Sequence, residues 1–276
     1  MIGTTEGTDA SDKGILAARS IRRKSGACAC LARFNHLRHP RHPWFKISGV
    51  IMGAWRADAR DLYVAGMNQR VRVKICGLTN PDDALAAIAC GADALGFNLF
   101  PGSKRHLILD EHAAWLRALP PFITRVAVLE IAPLDEARSV AAHPAIDCVQ
   151  LHGDEDAAYC AEFARGGRPF IKALRVRGPE TLALADSFST RHLLLDADVP
   201  GEFGGTGALA DLDRAAEIVR SRPELHVILA GGLRAENVAG AIARVRPFAV
   251  DVASGVEAEP RRKVAAKMRA FCAAVA

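Results

Sequence analysis

No apolar run in this 276-residue chain approaches the roughly 20 consecutive apolar residues that a bilayer-spanning helix needs. That excludes a helical membrane protein and leaves a soluble one as the expectation. A disulfide scaffold is also missing. The seven cysteines, at 28, 30, 76, 90, 148, 160 and 272, are odd in number and irregularly spaced, which suits a reducing cytoplasm. Cys28 and Cys30 stand one residue too close for the usual pair of metal ligands and read as incidental thiols. No Gly-x-Gly-x-x-Gly turn follows the first strand-like run, which counts against a doubly wound dinucleotide-binding sheet. Most of the chain also lacks surplus positive charge. The formal net charge of +5 arises in residues 1–66, with 11 Lys+Arg against 5 Asp+Glu; residues 67–276 hold 25 and 26. The basic pI is therefore poor evidence for nucleic-acid binding by the body. Neither nucleic acid nor membrane is expected as a partner.

What is present divides at about residue 66. Residues 1–66 show neither a helical nor a strand period. They carry Arg22-Arg23-Lys24 and a stretch in which His36, His39 and His42 alternate with Arg38, Pro40, Arg41 and Pro43. Such a composition buries little apolar surface and reads as a low-order extension. A His-rich metal site, a nucleic-acid arm and a transit peptide are the alternatives, the last weakened by Glu6, Asp9 and Asp12. Met67, just before the first clear strand, is a candidate natural start. Residues 67–276 form the second division. There, β-branched runs at 71–76, 94–100, 125–129, 148–151, 170–174, 192–196, 227–230 and 249–253 alternate with alanine-rich amphipathic stretches. The stretches fall at 82–90, 111–118, 134–142, 156–165, 180–187, 211–220, 235–244 and 262–274. Continuously apolar strands mean burial on both faces, as in a parallel sheet. Eight strand–helix units predict an α/β fold, a compact (β/α)8 TIM barrel.

In such a barrel the chemistry lies at the carboxyl ends of the strands. The first run ends at Cys76-Gly77 and the sixth at Asp196. A buried cysteine of the core and a general base are both open for Cys76, which needs thiolate character to act as a base. For Asp196, a general acid and a partner for a buried donor are both open. Cys90, Cys148, Cys160 and Cys272 fall within elements and read as core. Runs seven and eight end in Gly231-Gly232 and Asp251-Val252-Ala253-Ser254-Gly255. Glycines at both places let backbone N–H groups approach an anion, so the pair predicts a phosphate site. Glycines 204, 205 and 207 follow the sixth run. Arg105, after the second, suits a planar carboxylate or a solvated surface. Lys74 shares a face with Cys76, in the pocket or the barrel core.

Taken in order, Lys74-Ile75-Cys76-Gly77, Ser103-Lys104-Arg105, Val149-Gln150-Leu151-His152-Gly153, Leu194-Leu195-Asp196, Ala230-Gly231-Gly232 and Ser254-Gly255-Val256-Glu257 resemble the phosphoribosylanthranilate isomerases of tryptophan biosynthesis. The resemblance spans residues 70–276 and leaves out the extension. It implies an Amadori rearrangement with no cofactor and no metal. Cys76 would be the base and Asp196 the acid. Arg105 would hold the anthranilate carboxylate, and Gly231, Gly232, Asp251, Ser254 and Gly255 would contact the phosphosugar. A monomer or a homodimer would be usual for such a barrel. Two places depart from the family pattern. Glu130 appears near the rim after run three, and Pro260-Arg261-Arg262-Lys263-Val264 lacks the usual glycine and aspartate. The first could perturb charge at the site, the second the packing of the last helix. A relative of indole-glycerol-phosphate synthase, which would want a catalytic lysine and glutamate on early strands, is the rival enzyme. A non-catalytic phosphosugar-binding barrel is the rival of another class.

Overall fold

The computed structural model describes residues 70–176, 180–196 and 207–276. The extension at 1–66 and the glycines at 204 and 205 lie outside the described residues. Eight strands close into a barrel in chain order. They are β1 (Arg72–Cys76), β2 (Ala94–Asn98), β3 (Thr124–Leu129), β4 (Cys148–Leu151), β5 (Phe170–Arg175), β6 (His192–Asp196), β7 (His226–Ala230) and β8 (Ala249–Val252). Every neighbouring pair is parallel, and β8 returns to β1 with Lys74 opposite Asp251 and Ile75 opposite Val252. The helices between and after them are α1 (Pro81–Ala89), α2 (Leu109–Arg117), α3 (Leu134–Ala142), α4 (Ala157–Ala164), α5 (Glu180–Leu184), α6 (Gly207–Ser221), α7 (Val238–Val245) and α8 (Ala265–Val275). This is the expected (β/α)8 barrel.

Strand alternation sorts the core into two layers. Outward-facing residues such as Val73, Ile75, Leu95, Phe97, Val149, Leu193 and Val250 pack beneath the helices. Inward-facing Val126, Cys148, Ile171, Ala173, Leu194, Ile228 and Ala249 fill the barrel itself. The inner layer holds the buried pair Lys74 and Asp251 at the β1–β8 closure and, across the barrel, buried Gln150 on β4. At the opposite end His226 stacks on Phe248 with ring centroids 4.3 Å apart, and the Arg72 guanidinium lies 4.3 Å from the Phe248 ring.

Local chemistry explains several boundaries. The α1 helix starts where the Asn80 side chain accepts the Asp83 N–H at 2.8 Å, with Pro81 in the first turn. The α4 helix starts at Asp156, which accepts the Tyr159 N–H at 2.8 Å. The second strand is shorter than its apolar run because the Asn98 side chain turns back to accept the Phe100 N–H at 3.0 Å. The last helix begins at Ala265 rather than 262. A turn of 3-10 helix (Ser254–Val256) leads into an antiparallel hairpin of β9 (Glu257–Glu259) and β10 (Arg262–Lys263), which takes up the residues read as the first helical turn. Cys148 and Cys160 are buried as expected, whereas Cys90 and Cys272 are only partly so.

Candidate active site

The site begins below the barrel mouth with three residues of one face. Lys74 and Cys76 alternate inward on β1, and Asp251 faces Lys74 from β8. The Lys74 Nζ donates to both Asp251 carboxylate oxygens at 3.0 Å, in a pair whose side chains are 4% and 8% exposed. Burial works against the lysine charge, but Asp251 and the Cys76 sulfur outweigh it and push its pKa up to about 12. Cys76 pairs in register with Gly96. A Cβ on Gly96 would lie 2.6 Å from the Cys76 Sγ and 3.0 Å from the Lys74 Nζ. The glycine thus leaves the notch in which thiol and ammonium meet. Burial raises the pKa of the Cys76 thiol; Lys74 and Lys263 oppose that rise and Asp251 adds to it.

Arg105 lies beside this group. Its stem crosses the glycine after Cys76, so that a Cβ on Gly77 would fall 2.2 Å from the Arg105 Cδ. Its Nε donates to Glu257 at 2.9 Å and its Nη2 to the same carboxylate at 2.5 Å, leaving the Nη1 donors unengaged by Glu257. Glu257 also accepts from the Lys263 Nζ at 2.8 Å. Lys263 further donates to the Cys76 carbonyl at 2.5 Å and the Ala253 carbonyl at 3.1 Å. One fully buried ammonium therefore ties the end of β1, the end of β8 and the carboxylate that aims Arg105. Burial alone would raise the Glu257 pKa, but Arg105 and Lys263 hold it below the usual glutamate value.

Asp196 ends β6, with its side chain about a quarter exposed (26%). Across the mouth, the His152 Nε2 stands 3.9 Å from its Oδ2, and the His152 Nδ1 lies 2.6 Å from the Gln150 side-chain nitrogen. Burial and the Lys74 charge depress the His152 pKa, so the imidazole facing Asp196 is neutral at physiological pH. The Gln150 Oε1 is buried without a partner. Glu130, which could perturb charge at the site, bears on His152, where it works against the depression; the charges bearing on Cys76 are Lys74, Asp251, Lys263 and Arg105. A groove of about 500 Å³ opens from His152 and Asp196 past Leu174 and Leu184 to Phe188.

The two glycine turns meet. Gly231 and Gly232 take φ of 93° and 60°, the left-handed region that glycine enters at little cost. Asn237 fixes this turn, donating to the Gly232 carbonyl at 3.0 Å and accepting the Arg234 N–H at 2.8 Å. A Cβ on Gly255 would lie only 2.0 Å from the Leu233 carbonyl oxygen, so the turn after β8 sits directly against the turn after β7. Ser254 is exposed beside them.

The fold thus brings all eight expected residues to one end of the barrel. Seven lie at the mouth, whereas Asp251 lies one layer deeper and is committed to Lys74. Sequence reasoning assigned no role to His152, Glu257 or Lys263. The first two were visible in the motifs at the ends of β4 and β8; Lys263 lies in a stretch read as helix.

A family model for N-(5'-phosphoribosyl)anthranilate isomerase matches residues 73–274. The chain is 46% identical over 202 residues to the N-(5'-phosphoribosyl)anthranilate isomerase of Geobacter sp. (strain M21), covering 73% of this chain and 96% of that protein. It is 49% identical over 203 residues to the enzyme of Thiobacillus denitrificans, with the same coverage. Among solved structures, the phosphoribosyl anthranilate isomerase of Thermotoga maritima aligns with a TM-score of 0.65 at 38% identity, over 74% of this chain and 98% of that one. A phosphoribosyl anthranilate isomerase in complex with reduced 1-(o-carboxyphenylamino)-1-deoxyribulose 5-phosphate aligns at 0.62 and 36% identity, over the same shares. With its closed barrel, paired strand-end residues and these matches, the chain belongs to the N-(5'-phosphoribosyl)anthranilate isomerase family.

Proposed function

We propose that this chain converts N-(5'-phosphoribosyl)anthranilate to 1-(2-carboxyphenylamino)-1-deoxyribulose 5-phosphate, an aldose–ketose isomerisation in tryptophan biosynthesis, with no cofactor and no metal. Asp196 protonates the ring oxygen, the C1–O bond breaks, and an iminium forms. Cys76, as thiolate, takes the proton from C2, and the resulting enol tautomerises to the ketone. One group gives a proton and another takes one, so the net change is an isomerisation. The Nη1 donors of Arg105 hold the anthranilate carboxylate while Glu257 fixes the guanidinium plane. The abutting turns at Gly231-Gly232 and Ser254-Gly255 hold the phosphate, whose binding energy orients the reacting carbons. Asp251 supports this site through Lys74 rather than touching substrate. Residues 67–276 form the catalytic domain. The chain works in the cytoplasm, as a monomer or homodimer; the free cysteines among the described residues suit a reducing compartment.

The observation that carries this reading is the placement of Cys76 and Asp196, the last residues of β1 and β6, at the one mouth that also holds Arg105 and both glycine turns. Expression in a tryptophan auxotroph that lacks this isomerase tests it. Growth without tryptophan is expected. Soluble protein that fails to restore growth, and shows no turnover when purified, would favour a phosphosugar-binding barrel.

A further inference from the structure

We propose that Lys74, clamped from behind by Asp251, is the fixed cation that stabilises the Cys76 thiolate. It is a positioning residue that acts through the sulfur. The proposal rests on Cys76 serving as the base.

Geometry carries it. Residues two apart on a strand share a face, so Lys74 and Cys76 both point into the barrel. Their functional atoms converge on the single notch left by Gly96. With 2.6 Å to Sγ and 3.0 Å to Nζ from the same point, the two atoms are no more than 5.6 Å apart. The Lys74 chain cannot swing away, because Asp251 on the neighbouring strand holds Nζ through both oxygens. Nor does water compete, since the lysine is 3% exposed. An ammonium at this depth, facing a thiol in a medium of low dielectric, interacts far more strongly than the same pair in water.

The thiol needs such a cation. Its burial disfavours the thiolate, and three charged groups adjust that: Lys74 most strongly in favour, Asp251 against, and Lys263 in favour. Arg105 is the remaining charged group whose field meets the sulfur. Lys74 stays charged through the working range of pH, its own pKa held at about 12. Asp251 thus has two opposed effects. It fixes the cation in place and, by its own charge, weakens it.

That opposition sets the experiment. Cys76 in the full-length protein is alkylated with iodoacetamide across a range of pH, with modification followed on the peptide that contains Cys76. Lys74→Met is expected to move the alkylation midpoint up by at least about one pH unit, a tenfold loss of thiolate at a fixed pH below the midpoint. Asp251→Asn is expected to move it down. The acid limb of kcat/KM should follow each shift. Either single variant leaves a buried charge unpaired, so Lys74→Met/Asp251→Asn, which removes both, serves where a single variant does not fold; its midpoint should rise, because Lys74 is the stronger influence. A residue with only a packing role would move neither midpoint. An unchanged midpoint in Lys74→Met or in the double variant, or shifts of the same sign in both single variants, would overturn the proposal. Alkylation needs no substrate, so this outcome is separate from the activity of Cys76→Ser, which tests the base itself.

Discussion

At the residue scale, the proposed reaction depends on an acid and a base held in position by the strand ends. Cys76→Ser and Asp196→Asn should each lower kcat by about 10²–10⁴-fold, the usual worth of a positioned acid or base, with the circular dichroism spectrum unchanged. Near-full activity in either would remove that residue from the mechanism. Gly96→Ala tests the notch. Its added methyl would lie 2.6 Å from Sγ, so sulfur or ammonium must move. We expect kcat to fall about 10²-fold and stability to fall by about 1–3 kcal/mol in urea titrations. Cys76 and Asp196 were legible in the sequence because each interrupts an apolar strand run at its end. The pairings around them were not. Asp251 lies 177 positions from Lys74, and no local pattern announces that pairing. Arg105 was legible as a cation, but not as one already held by Glu257, 152 residues away.

At the element scale, the strands could be read because parallel barrel strands are apolar on both faces, and the run at 148–151 matches β4 residue for residue. The segment after β8 could not. Arg261 occupies a φ of 76°, where glycine would have signalled a turn, and its absence let 262–274 pass for one amphipathic helix. Val264, at the N-cap of α8, makes no side-chain cap hydrogen bond where an aspartate could. Both departures have a physical cost in the folded state. Arg261→Gly relieves a left-handed residue with a side chain, and Val264→Asp caps an open helix end. Each should raise stability by about 1 kcal/mol, read as a higher denaturant midpoint at constant m. A loss in either variant would mean that the hairpin holds these residues for another reason.

At the scale of the whole molecule, the barrel should be more sensitive to acid than to mild base. Burial first, together with Arg191 beside His192 and with His192 itself beside His226, holds both imidazoles below their ordinary 6.5. Folding therefore favours their neutral forms, a contribution present above pH 6.5 and lost as pH falls through that value. Glu155, paired with Lys172 at 2.7 Å, and Glu257 sit below 4.5, and Asp147, hydrogen-bonded by Arg125, sits below 3.8. Their contributions are lost in turn at lower pH. The melting temperature should decline in two stages, below pH 6.5 and again below pH 4.5, while Lys74, with its raised pKa, holds its contribution up to about pH 10.5. A flat profile from pH 7 to 4 would contradict this. The extension should matter little to catalysis, because the family match begins at residue 73 and relatives are covered over 96% of their length without it. Deleting residues 1–66 should leave kcat/KM within twofold. A truncated chain that cannot fold would place the extension in the structure.

The seam between β1 and β8 also sets when the site can be completed during synthesis. Cys76 belongs to the first of the described strands, yet the ammonium that grips its carbonyl is 187 residues further on. At about 5–20 residues per second, a ribosome needs roughly 10–40 s to deliver one after the other. Throughout that interval the end of β1 lacks the Lys263 contact to its last carbonyl. A chain ending before residue 263 would therefore lack the ammonium that joins the end of β1 to Glu257 and the end of β8.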